Sequence, residues 1–83
     1  MFRQATARNA VVDELLDAYL SWREECAALD AAYVRWIRAA DSDRALAFAA
    51  YSAQLDLEEH TARCYEAKTR EAMAEGEQLP VAA

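Results

Sequence analysis

Residues 19–36, YLSWREECAALDAAYVRW, repeat one phrase: Tyr19 stands three before Trp22, and Tyr33 three before Trp36. The repeat interval is fourteen residues, two heptads, which an α-helix projects onto one stripe. Working outward, apolar residues continue at alternating steps of three and four through Val12, Leu15, Tyr19, Trp22, Cys26, Leu29, Tyr33, Trp36 and Ala40. This pattern predicts a helix over about residues 9–40, with Thr6 or Asn9 as N-cap and Asp13 and Glu14 in its first turns.

Asp41-Ser42-Asp43 interrupts the stripe with good capping residues and predicts a turn at 41–43. A second helix is expected over about 43–75, stopped by Gly76, with 76–83 as a flexible tail. One Gly and one Pro beside 21 Ala in 83 residues support helix nearly throughout. The fold class is therefore all-α: an antiparallel two-helix hairpin forming a single domain.

Helix two carries two apolar stripes. Leu46, Ala50, Ala53, Leu57, His60, Cys64 and Ala67 form one, and Phe48, Tyr51, Leu55, Ala62 and Tyr65 the other. Leu16, Leu20, Val34 and Ile37 similarly widen the stripe of helix one. A hairpin buries one stripe from each helix, so the excess predicts a second copy and a dimeric four-helix bundle. Leu20, Val34, Ile37, Tyr51 and Tyr65 are the expected interface residues outside the seam within the hairpin. With the turn near residue 42, facing positions sum to about 84. Tyr19, Trp22, Tyr33 and Trp36 then become core aromatics over alanine-lined holes on the other helix.

Charge narrows the function. The net charge of −6, with no cluster of Lys or Arg, disfavours nucleic acid and anionic membrane surfaces. No segment is apolar enough for a membrane span or a secretory leader, so a cytoplasmic setting is expected. Arg outnumbers Lys eight to one, which together with the abundant Ala suggests a GC-rich bacterial source. The LPVAA end is small and apolar, like tails taken by bacterial unfoldase-protease systems, but reads first as a frayed terminus.

Cys26, His60 and Cys64 are the one candidate metal or thiol site. His60 and Cys64 lie four apart on one face, and the register puts Cys26 within a few residues of the level of His60. The competing reading makes the cysteines small buried hydrophobes. A disulfide is not expected, because an offset of about seven residues, ~10 Å, exceeds its reach. Leu57 three before His60 excludes the Glu-x-x-His motif of di-iron bundles. Small helical hairpins of the WXG type carry Trp-x-Gly at their turn; Trp36-Ile37-Arg38 does not match.

One His, no Gly-rich loop and no Ser–His arrangement point away from an enzyme, and no cofactor is expected. The sequence thus predicts a non-enzymatic helical interaction or scaffold protein that self-associates, with a further protein partner as an additional expectation. The alternative is a thiol- or metal-responsive protein using Cys26, His60 and Cys64.

Overall fold

A computed structural model describes the backbone of residues 2–78 and the side chains of residues 10–76. Two helices, α1 (Phe2–Arg38) and α2 (Arg44–Gln78), pack against each other as an antiparallel hairpin. It is a rod of 67 × 18 × 14 Å with a radius of gyration of 18.9 Å, against the ~12 Å of a compact domain of this length.

The helices exceed the expected spans. α1 continues through Thr6 and Asn9, which are therefore helical rather than caps, because nothing between Phe2 and Ala10 is a helix breaker. α2 runs past Gly76, which meets nothing within 4 Å and has no positive φ. A lone glycine costs a helix only about 1 kcal/mol and stops it only when the chain uses its left-handed freedom. The rest of the expected tail, residues 79–83, lies outside the described residues.

The turn falls where the Asp-Ser-Asp run places it. The Asp43 N–H donates to the Ala40 carbonyl at 2.8 Å, and the Asp43 carbonyl accepts the first bond of α2 from Ala47 N–H at 2.9 Å. Asp43 thus occupies the N-cap position. At the other side of the turn, Arg35 and Arg38 place positive charge against the C-terminal end of the α1 dipole.

The seam differs from the predicted stripe in four of its nine positions. Leu15, Trp22, Leu29 and Trp36 are half-buried as expected. Cys26 is half-buried too, with Glu25 beside it, whereas Val11, Ala18, Ala32 and Ala39 take the places of the predicted Val12, Tyr19, Tyr33 and Ala40. Of the described residues only Ala32 is a buried hydrophobic, 3% exposed. Small residues at the line of closest approach let the backbones come together, while Tyr19 and Tyr33 reach in from the flank.

On α2 the seam runs through Ala47, Tyr51, Gln54, Glu58, Thr61, Tyr65 and Lys68, and the stripe from Leu46 to Ala67 is exposed throughout. Tyr51 and Tyr65 therefore belong to the seam within the hairpin, not to a surface outside it. Leu20, Val34 and Ile37 remain exposed, as expected of them.

Candidate interaction surfaces and the polar seam

Interhelical contacts confirm the predicted register, since pairs such as Tyr33–Tyr51, Trp36–Phe48 and Tyr19–Tyr65 each sum to 84. They do not confirm aromatic knobs over alanine holes. Instead Trp22 stacks on Tyr65, with ring centroids 5.5 Å apart and planes at 19°, and Trp36 stacks on Tyr51 at 5.3 Å and 21°. Tyr19 closes the first cluster and Tyr33 the second. The fourteen-residue repeat of α1 is met by Tyr51 and Tyr65, themselves fourteen apart on α2. Offset stacking of this kind adds about 0.5–1.5 kcal/mol per pair beyond the area it covers.

Between these clasps lies a polar belt. Trp22 Nε1 donates to Glu58 Oε1 at 2.9 Å, and the Cys26 thiol points at the same oxygen at 3.9 Å. Gln54 Nε2 donates to the Glu25 carboxylate and, at 3.5 Å, to the Glu25 carbonyl. Farther from the turn, Lys68 Nζ meets Glu14 Oε2 at 2.9 Å and Glu71 Oε2 at 3.4 Å. No buried side-chain polar atom among the described residues lacks a partner.

Two groups in the seam are electrostatically displaced. Burial, then the neighbouring Glu58 carboxylate, pushes the Cys26 thiol above its ordinary value. Hydrogen bonds first to Glu14 and then to Glu71 raise the Lys68 ammonium. Neither shift favours chemistry: a raised thiol holds its proton and is a poorer nucleophile at neutral pH.

The expected three-residue site is not assembled. Cys26 faces Glu58 in the seam, whereas His60 and Cys64 are exposed on the outer side of α2, with Cys64 Sγ 3.7 Å from His60 Nε2. Register brings residues to one level along the rod, but helical phase sends these to different sides. Among the described residues no group of three or more His, Cys, Asp or Glu is arranged to hold a metal ion. Both cysteines are free.

At about 100° per residue, the exposed apolar side chains fall on two sides of the rod. Val12, Leu16, Tyr19, Tyr33 and Ile37 of α1 flank the seam on the side where α2 presents Phe48, Leu55 and Ala62. Glu14–Lys68 and Glu25–Gln54 mark the opposite flank, and beyond them lies the outer stripe of α2. Sequence reasoning identified both excess stripes but missed Glu25, Gln54 and Glu58 as seam residues, because a count of apolar positions cannot see polar groups that bond to each other. No helix among the described residues is long and apolar enough to cross a membrane. No family model matches the chain, and comparison with curated proteins and with solved structures returns no match.

Proposed function

We propose that this chain is a small non-enzymatic interaction protein that works by self-association, two hairpins pairing into a four-helix bundle in the cytoplasm. The observation that carries this reading is its surface. An isolated pair of helices leaves an apolar face open to water: Leu16 and Ile37 are each 53% exposed and Phe48 48%. A patch of this kind on a small soluble rod is otherwise an aggregation liability.

The face formed by Val12, Leu16, Tyr33, Ile37 and Phe48 is the surface assigned to the second copy; of the expected interface residues it keeps Ile37, leaves the exposed Leu20 and Val34 farther round α1, and gives up Tyr51 and Tyr65 to the seam. Sedimentation equilibrium at micromolar concentration tests it. The expected result is a dimer that Leu16→Lys with Ile37→Lys converts to a monomer of unchanged helical content. A wild-type monomer under those conditions would overturn the proposal and turn the search to a different protein as the occupant of that face.

A further inference from the structure

We propose that His60 and Cys64 are half of a tetrahedral site for a zinc-like ion, completed by the same pair from a second copy docked along the outer stripe of α2. The first support is the geometry of the pair. Zinc bound by thiolate at about 2.3 Å and imidazole at about 2.05 Å, at the tetrahedral angle, separates sulfur from nitrogen by about 3.6 Å. Cys64 Sγ and His60 Nε2 are 3.7 Å apart. Both residues are exposed, so solvent reaches the two atoms, whose spacing is close to the one a metal requires.

The second support is the stripe that carries them. Its seven positions from Leu46 to Ala67 follow steps of four and three, the spacing of a coiled-coil seam, yet α1 covers none of them. The stripe holds no side chain with a permanent charge; Ala49, Asp56, Arg63 and Arg70 run along its outer edge. Its C-terminal half, from Leu57 to Ala67, is self-complementary. In an antiparallel pairing with facing positions summing to 124, His60 faces Cys64 of the second copy. Leu57 then faces Ala67, a large residue against a small one beside the metal, while farther out Ala53 faces Glu71 and Ala50 faces Ala74.

Two pairs around such a dyad give a Cys₂His₂ set, a closed structural site of the type that zinc prefers. One chain alone offers two ligands, consistent with the lack of any larger ligand group among its described residues. On binding, Cys64 is held as thiolate, its proton leaving to solvent, and neutral His60 binds through Nε2. Cys26 plays no part, since it faces the seam on another side of the rod.

This inference goes beyond the metal-free bundle, which uses the other side of the hairpin, and the two are read separately in one experiment. The full chain, reduced, is titrated with zinc alone and followed by native mass spectrometry. Whatever species is present without zinc should double in mass with zinc, gaining one ion for each newly joined pair of His60–Cys64 half-sites. His60→Ala and Cys64→Ser should abolish the doubling while leaving the metal-free species as in wild type, and Cys26→Ser should change nothing. Cobalt substituted for zinc should give the thiolate charge-transfer and tetrahedral visible bands, lost in Cys64→Ser. Absence of retained metal, zinc bound without doubling, or doubling that survives Cys64→Ser would overturn the site. A monomeric metal-free state would overturn only the bundle.

Discussion

The two aromatic clasps share a plan and differ in what completes them. Near the turn, Trp36 lies against Tyr33, Tyr51 and Phe48, three rings with centroids 5.0–6.1 Å away. Fourteen residues along, Trp22 has Tyr19 and Tyr65, but Ala62 stands where Phe48 stood, and Glu58 accepts the indole N–H at 2.9 Å. The position equivalent to Glu58 in the first clasp is Arg44, which cannot accept a hydrogen bond. One clasp is thus held by an additional ring and the other by a charge-assisted bond. A ring contact tolerates small shifts in register, whereas a hydrogen bond fixes one atom against another, so the second clasp is the better determinant of helix alignment.

Breaking either clasp should have the largest effect. Trp22→Ala and Trp36→Ala should each cost about 2–3 kcal/mol in urea unfolding, somewhat below the 3–5 kcal/mol of fully buried aromatics because both indoles are half-buried. Equal losses on substituting phenylalanine would erase the proposed distinction. Trp22→Phe should cost about 1.5 kcal/mol by deleting the bond to Glu58, and Trp36→Phe about 0.5 kcal/mol. A double-mutant cycle of Trp22→Phe with Glu58→Ala should show a coupling near 1 kcal/mol that the Trp36 background lacks.

Ala62→Phe gives the second clasp the ring of the first, and thermal unfolding should report a gain of about 0.5–1 kcal/mol. The smallest effect concerns Cys26, between the clasps. Its folded pKa is raised, so the neutral thiol's contribution is fully present below the ordinary value of 9.0 and lost as pH rises through the folded value. Stability measured from pH 8 upward should therefore fall more steeply in wild type than in Cys26→Ala. Lys68, raised by Glu14 and Glu71, adds a further alkaline loss common to both proteins.

The hairpin, its turn and its register were legible because each rests on local chemistry: alanine-rich periodicity, the Asp41-Ser42-Asp43 break, and the arithmetic of an antiparallel pair. Phase was only half legible. Trp22 and Trp36 marked one line of the seam, but size drew the reading to Tyr19 and Tyr33 when closeness favoured Ala18 and Ala32. On α2 the error was larger. The exposed run from Leu46 to Ala67 is the more regular stripe, while the true seam is interrupted by Gln54, Glu58 and Lys68, whose place depends on Glu25, Trp22 and Glu14 across the gap. Partners distant in sequence leave no signal in a window of one helix. The metal reading grouped Cys26 with His60 and Cys64 because shared level on the rod was taken for shared direction.

The equal fourteen-residue spacing on both helices makes the pair behave like two rulers with the same graduation. Slid by one graduation, Trp36 would rest on Tyr65 with Glu58 within reach of its N–H, and Glu25 would lie near Lys68. Within one chain the five residues between Arg38 and Arg44 are too few to span that slide. Severed from the loop, or exchanged between chains, the helices would have two settings to choose between, so the short turn is the zero mark that makes the scale readable.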